Sequence, residues 1–81
     1  AVTSNQFTPE NLTVARNATV TWSFQNGVHD VTFEDNNGNS ARNQSSGTHN
    51  RDFPGAGTFR YRCTLHSTSF TSGMIGSVMV Q

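Results

Sequence analysis

One short segment of the chain concentrates side chains that can bind a metal or act as a nucleophile. In YRCTLHSTSFTSGM, residues 61–74, the only cysteine of the chain, Cys63, is followed by His66 and then by Met74. Thiolate, imidazole and thioether groups are soft or borderline donors, which suit copper. A cysteine protease uses a thiol and an imidazole, and structural zinc sites use thiolates and imidazoles. The segment therefore indicates a functional site and leaves its chemistry open.

A copper site of this kind needs a second imidazole in addition to His66. His29 lies in NGVHDVTF, where a glycine-containing loop enters a predicted strand, so its ring can reach the end of a neighbouring strand. The third histidine, His49, lies in the polar strand GTHNRDF and is expected to be solvated. The second methionine, Met79, alternates with apolar valines and is predicted at the surface. His29 is therefore the better candidate for the second imidazole.

The two other chemistries fit this sequence less well. A cysteine protease needs an orienting group and an oxyanion site in a substrate cleft, and a chain of 81 residues leaves little room for a cleft. A structural zinc site would prefer more thiolates than one, although zinc could occupy the same side chains in recombinant protein. We therefore expect a metal-binding protein that is not an enzyme.

The elements around these residues alternate apolar and polar side chains with a period of two, which is typical of strands with one buried face. In ATVTWSF this pattern places Trp22 and Phe24 in the core. In TFRYRC it directs Cys63 into the interior at the end of a strand, while Arg60 and Arg62 point to water. A buried thiol followed at once by a loop that carries an imidazole and a thioether favours a metal site at one end of the fold.

Turn compositions such as ARNA, QNG and PGAG separate the alternating segments. Seven short strands with little or no helix indicate an all-β fold, a Greek-key β-sandwich. We interpret residues 1–81 as one domain, and the polar stretch 34–47, which lacks an apolar anchor, as its least ordered part. The predicted strands lie near residues 2–8, 11–15, 18–24, 30–34, 48–53, 57–63 and 75–81.

The composition limits both the core and the partners. Only 32% of the residues are hydrophobic, and a single cysteine excludes a disulfide within the chain, so a bound metal would add stability that a thin core lacks. The net charge is zero and all five cationic residues are arginines, which argues against nucleic acid and anionic membrane as main partners. No apolar run reaches the length of a transmembrane helix, so we expect no membrane insertion.

The runs HDVTF, FPGAGTFRYRCTLH and GMIGSVMV resemble those of the cupredoxins (blue copper proteins), especially the bacterial plastocyanin-like branch. The resemblance extends over about residues 14–81. It implies a cupredoxin-like Greek-key sandwich, one type 1 copper ion per chain and the transfer of one electron through Cu(I) and Cu(II). By position, it places the copper ligands on His29, Cys63, His66 and Met74.

Two features depart from the plastocyanin pattern. Seven residues, 67–73, separate His66 from Met74, which is a longer loop than plastocyanin has. Asp30 follows the first histidine, where asparagine is common. We expect its carboxylate to accept hydrogen bonds from the Thr64 hydroxyl and from backbone N–H groups, which would tie the two ligand segments together. The alternative is that Asp30 faces solvent as an ordinary loop carboxylate.

The resemblance also implies how the protein is used. It makes His66 the port for electrons, with Leu65 and Phe70 as apolar surface around it. It implies transient redox partners, such as a c-type cytochrome or an oxidase, for a monomer exported to the periplasm or cell surface. Zero net charge predicts weak long-range steering towards such partners. Two other readings stay open: a copper-storage or copper-delivery module, and a cupredoxin domain of a larger copper oxidase.

Overall fold

The computed structural model describes residues 2–3, 6–25, 27–40 and 44–81. Residues 4–5 of the predicted first strand, residue 26 of the predicted QNG turn and residues 41–43 of the predicted polar loop lie outside them. The described residues form strands and turns without a helix, so none of them belongs to a helix that could cross a bilayer. The strands are β1 Val2–Thr3, β2 Gln6–Phe7, β3 Asn11–Val14, β4 Ala18–Ser23, β5 Thr32–Phe33, β6 Thr48–Phe53, β7 Gly57–Arg62 and β8 Ile75–Val80.

The strands form a β-sandwich, which confirms the predicted all-β fold. One sheet has four strands in the order β3-β8-β7-β5, in which β3 runs parallel to β8 and the other pairs are antiparallel. Strands β4 and β6 form an antiparallel pair, and β1 and β2 form another. Because β7 lies in the middle of the four-stranded sheet, the segment that follows it starts from a well-supported position.

Five predicted strands match the observed bounds to within one residue at each end: 11–15, 18–24, 48–53, 57–63 and 75–81. The prediction of a single strand over 2–8 is wrong, because β1 and β2 pair with each other and place Val2 opposite Phe7. Apolar and polar residues alternate with the same period in both strands of a hairpin, so the alternation did not reveal that the chain turns back between them. Ser4-Asn5 are turn-favouring residue types and were the available signal.

The predicted strand 30–34 is reduced to Thr32–Phe33. This strand lies at the edge of the sheet, and side chains of the following loop take the place of a further strand. The Ser40 hydroxyl accepts a hydrogen bond from the N–H of Val31 (2.7 Å), and the Asn39 side-chain oxygen accepts one from the N–H of Phe33 (2.8 Å). These bonds occupy backbone N–H groups at a sheet edge that could otherwise pair with another chain.

The core lies between the four-stranded sheet and the β4–β6 pair and uses alternate residues of their strands, and Trp22 and Phe24 belong to it as predicted. Met79 is 51% exposed, which confirms its predicted position on the surface. Tyr61 meets Trp22 edge-to-face, with ring centroids 5.4 Å apart, and Gly76 opposite it on β8 leaves room for its ring, since a Cβ there would collide with it. The buried apolar residues are Phe7, Val20, Trp22, Phe24, Val31, Phe33, Phe53, Tyr61, Cys63, Met74, Val78 and Val80.

Arg51 closes one end of the sandwich. Its side chain is only 9% exposed and binds the Asp35 carboxylate at 2.9 and 3.2 Å, and it also donates to the carbonyl oxygen of Asn37 at 2.9 Å. The stretch 34–47 was predicted to lack an apolar anchor, and among its described residues Asp35 and Asn37 are instead held by this cation. The guanidinium carbon lies over three rings, those of Phe33 (4.3 Å), Phe53 (4.8 Å) and Phe59 (5.0 Å).

We call Arg51, Asp35 and these three rings the arginine end. Strand β5 runs antiparallel to β7, with Thr32 opposite Arg62 and Phe33 opposite Tyr61. Asp35 therefore lies beyond one end of the pair, and Cys63, which follows β7, lies beyond the other. The guanidinium hydrogen bonds hold the pKa of Asp35 below its usual value, against a smaller opposing effect of burial.

Candidate metal centre

Three of the predicted ligands come from segments that adjoin strands β5 and β7. Cys63 directly follows β7 and is fully buried, and His66 follows it by three residues and is exposed. His29 lies three residues before β5 and is 2% exposed. Its backbone exchanges two hydrogen bonds of 2.9 Å with the backbone of Gln44, so the segment that carries the ring is fixed.

The structure brings the donor atoms of these three residues together. The Cys63 sulfur lies 3.4 Å from Nδ1 of His66 and 3.8 Å from Nδ1 of His29. A metal bonded to sulfur at about 2.3 Å and to nitrogen at about 2.0–2.1 Å, in trigonal or tetrahedral geometry, separates these atoms by roughly 3.6–3.8 Å. One ligand atom from each residue lies within 4.8 Å of the other two. The donor set therefore fits one metal ion held by a thiolate and two imidazoles.

Met74 lies beside this cluster at the level of the backbone. Its carbonyl oxygen accepts a hydrogen bond from the N–H of Cys63 at 3.0 Å, and its side chain is buried, at 2% exposed. The preceding Gly73 has a positive φ of 85°, and a Cβ there would approach the carbonyl oxygen of His66 to 2.9 Å. Glycine therefore lets the loop close tightly before Met74, whose part as the fourth ligand stays a prediction.

Asp30 joins the two segments that carry His29 and Cys63. It is 1% exposed, and one carboxylate oxygen accepts a hydrogen bond from the N–H of Thr64 at 2.8 Å while the other accepts one from the Thr64 hydroxyl. The expected bridge is confirmed, and the alternative of a solvent-facing carboxylate is wrong. Bonds of this type hold metal ligands in position. We call His29, Asp30, Cys63, Thr64 and His66 the metal end.

Apolar side chains close in sequence to His29 and His66 are exposed or partly exposed. Leu65 is 49% exposed and Phe70 is partly exposed, as expected, and Val28 is 43% exposed. The sequence reasoning missed Val28. Alternation gave no signal for it, because the three residues that follow it are all buried.

The side chains of Arg62 and His49 do not lie in solvent as predicted. Arg62 does not point freely to water: it is partly buried, one of its terminal nitrogens donates to the carbonyl oxygen of Ser67, and its guanidinium carbon lies 5.3 Å from the centre of the Phe70 ring. Arg60, on the same face, is exposed as predicted and pairs with Glu34 at 2.6 Å. The difference arises because the loop after β7 folds back over Arg62 and does not reach Arg60.

His49 is the second of these corrections. It was expected to be solvated, but its ring is partly buried, 5.7 Å from Trp22, and its Nε2 lies 2.6 Å from the carbonyl oxygen of Gly38. His49 is paired with Trp22 across strands β4 and β6, so the two side chains share the inner face. It forms no part of the metal end.

Comparisons with known proteins agree with this geometry. No protein-family model and no curated protein sequence matches the chain. Among solved structures, a purple cupredoxin from Nitrosopumilus maritimus is 27% identical over 91% of this chain and 80% of its own, with a TM-score of 0.74. A singly substituted amicyanin in the Cu(I) state is 25% identical over 94% of this chain and 73% of its own, with a TM-score of 0.76.

A second amicyanin variant, in a reduced Cu(I) form, is 26% identical over the same shares of the two chains, with a TM-score of 0.72. An all-β sandwich with a thiolate and two imidazoles gathered at one end defines the class of protein. The matching structures are cupredoxins, and they support the assignment of this chain to that family. Because its neighbours include amicyanins and a purple cupredoxin, the assignment is to the family as a whole.

Proposed function

We propose that the chain is a type 1 copper protein that carries single electrons, with one copper ion held by His29, Cys63, His66 and Met74. The observation that supports it most is the meeting of one sulfur and two imidazole nitrogens within 4.8 Å at one end of the sandwich. A copper ion bound there supplies a one-electron couple between Cu(I) and Cu(II). Solved amicyanins are described in an oxidised state and in a reduced Cu(I) form, which supports the same couple here.

The residues of the metal end would allow fast electron transfer, because their positions are fixed by the fold. Cys63 supplies the thiolate from a fully buried position, and His29 is fixed through Gln44 on its backbone. The Asp30–Thr64 hydrogen bonds hold the two ligand segments together. A site that is fixed by the fold changes little when its charge changes, so little reorganisation accompanies each transfer. Met74 would add the weak thioether.

His66 would connect the site to a partner. It is the exposed member of the cluster, and the exposed apolar residues Val28 and Leu65 directly precede the two histidines. This surface suits a transient apolar contact with a redox protein, such as a c-type cytochrome or an oxidase, and electron-transfer complexes of this kind have small interfaces. We infer a monomer of the periplasm or cell surface, on the family resemblance.

One experiment tests the proposal directly. The protein is loaded with copper, its metal content is measured to exclude zinc, and its visible spectrum and voltammogram are recorded. An intense visible charge-transfer band and a reversible potential with fast self-exchange are expected. A colourless copper-loaded protein would overturn the type 1 assignment. A coloured protein that binds copper but exchanges electrons slowly would indicate a copper-delivery module instead.

A further inference from the structure

The ligand loop, residues 64–73, must hold its shape although it is long and rich in hydroxyl side chains. Part of its support is internal. Ser67, which directly follows His66, is 7% exposed, and its hydroxyl lies 2.6 Å from the carbonyl oxygens of both Ser69 and Ser72. These contacts fold the loop on itself but do not attach it to the sandwich.

Arg62 provides an attachment. Its backbone lies on the central strand β7, between Thr32 of β5 and Ile75 of β8, so its position is fixed by the sheet. One terminal nitrogen donates to the carbonyl oxygen of Ser67, and the guanidinium carbon lies 5.3 Å from the centre of the Phe70 ring. A single side chain thus contacts the loop at two points, one of them next to His66.

Stability alone does not account for this placement. Within the part of the chain that the structure describes, Nε of Arg62 is the one buried side-chain nitrogen or oxygen that has no hydrogen-bond partner. An unpaired buried donor lowers the free energy of unfolding. Arg60, two residues earlier on the same face, shows the ordinary solution for an arginine there, an exposed pair with Glu34.

We propose that Arg62 is a positioning residue of the copper site: its guanidinium ties the ligand loop to β7 and thereby sets the orientation of His66. The inference rests on the proposed function, because it assigns a purpose to the loop geometry of that same site. A planar guanidinium suits this task, since it can donate a hydrogen bond and stack on a ring at the same time.

The test compares Arg62→Met with the matched control Arg60→Met. In the metal-free 81-residue chain, the backbone amides of residues 67–73 should exchange with solvent ~10-fold faster or more in Arg62→Met than in wild type, and at the wild-type rate in Arg60→Met. In the copper-loaded proteins, Arg62→Met should lower copper affinity by ~10–100-fold, the usual cost of losing a residue that orients a metal ligand. Its visible and EPR spectra should also change, whereas those of Arg60→Met should not.

Two further variants separate the effect of the guanidinium shape from that of its positive charge, and they replace Arg62→Met if that variant does not fold. Phe70→Ala keeps the cation but removes the ring beneath it, and should shift exchange, affinity and spectrum in the same direction by a smaller factor. If Arg62→Met does not fold, Phe70→Ala and Arg62→Lys are measured in its place. Arg62→Lys keeps the charge and should recover only part of the wild-type behaviour.

The outcomes distinguish this proposal from the proposed function. A wild-type protein without the type 1 spectrum overturns the proposed function, whatever the exchange rates of the loop are. A wild-type protein with that spectrum, joined to Arg62 variants that match Arg60→Met in affinity and spectrum, overturns the positioning role, even if the loop amides exchange faster. Full recovery by Arg62→Lys would also overturn it, because charge alone would then suffice.

Discussion

The two ends of the sandwich hold their buried polar groups in opposite ways. At the arginine end, the protein supplies its own cation: Arg51 pairs with Asp35 at 2.9 Å and lies over three rings. At the metal end, a sulfur and two imidazole nitrogens face one another within 4.8 Å. All three can donate an electron pair to a cation, so one metal ion could bind them together.

The contrast separates the contacts that folding forms within the chain from those that would require a bound metal ion. The arginine end is closed by contacts within the chain, so it contributes to stability whether or not metal is bound. At the metal end, the Asp30 bridge fixes the two segments, and a metal ion bound by the sulfur and the two imidazoles would add a further link between them. A change at one end should therefore leave the other nearly unaffected, since sites without shared partners act almost independently.

The largest effect is expected from removing the sulfur. Cys63→Ser should abolish the intense visible band of the copper-loaded protein, because that band requires a thiolate bound to Cu(II). Arg51→Met, at the other end, should retain the band. Absorption spectra of the three copper-loaded proteins measure this. A Cys63→Ser protein with the wild-type colour would show that the metal lies elsewhere.

The next effect is the stabilisation by the metal itself. Copper at a free concentration ~100-fold above its dissociation constant should raise the free energy of unfolding by about 2.7 kcal/mol, because it binds the native state and not the unfolded chain. Melting curves of verified metal-free and copper-loaded protein measure the shift. Equal melting temperatures would contradict a preformed site, whereas an equal shift in Arg51→Met would sharpen the separation of the two ends.

Breaking the bridge between the ligand segments should have a similar or smaller effect. Asp30→Ala removes both acceptors used by Thr64 and should weaken copper binding by ~10–100-fold. Asp30→Asn can retain the bridge without the negative charge, and should raise the reduction potential, because a nearby anion favours Cu(II) over Cu(I). Copper titration and voltammetry measure the two properties. Identical affinity in wild type and Asp30→Ala would mean that the bridge does not position the ligands.

The sequence was sufficient for most of the metal end because its signals are local. A period of two directs Cys63 inward, and the confirmed bridge followed from Asp30 and Thr64 each standing next to a ligand position. The strands with clear alternation were located to within one residue at each end. Two strands were not located correctly: the first, where the chain reverses without changing its period, and 30–34, which is shortened to Thr32–Phe33.

The arginine end was not predictable in this way. Arg51 and His49 share the inner face of β6 with Phe53, yet each is a polar residue type that ordinarily faces water. Their burial depends on the loop after β5, which packs on them from a distant part of the sequence. Arg62 is the same case at the metal end, since its contact arises only when the ligand loop folds back.

A smaller effect should separate the two methionines. Met74→Gln should lower the reduction potential while most of the colour survives, because an oxygen donor favours the harder Cu(II) ion. Met79→Gln is the matched control, since Met79 is 51% exposed on β8, and it should change neither property. Voltammetry of the two variants measures the difference. The reverse result would mean that Met79, and not Met74, supplies the thioether ligand.

The smallest effect concerns acid and belongs to the arginine end. The pKa of Asp35 is lowered by the Arg51 guanidinium, so the folded protein holds fewer protons there than the unfolded chain between the lowered and the ordinary value. The ion pair therefore contributes stability above the ordinary aspartate pKa of about 3.9, and this contribution is lost as the pH falls below that value. Because the Asp35 side chain is 40% exposed, we expect no more than about 1 kcal/mol.

A double-mutant cycle isolates this contribution. Wild type, Asp35→Asn, Arg51→Met and the double variant are unfolded with urea, metal-free, at neutral pH and below pH ~3.9, the ordinary aspartate value. The histidines and the cysteine of the metal end are identical in all four proteins, so their titration cancels in the coupling energy. The coupling should be positive at neutral pH and should decline in acid. A coupling near zero at neutral pH would mean that Arg51 acts through its three rings and not through the Asp35 charge.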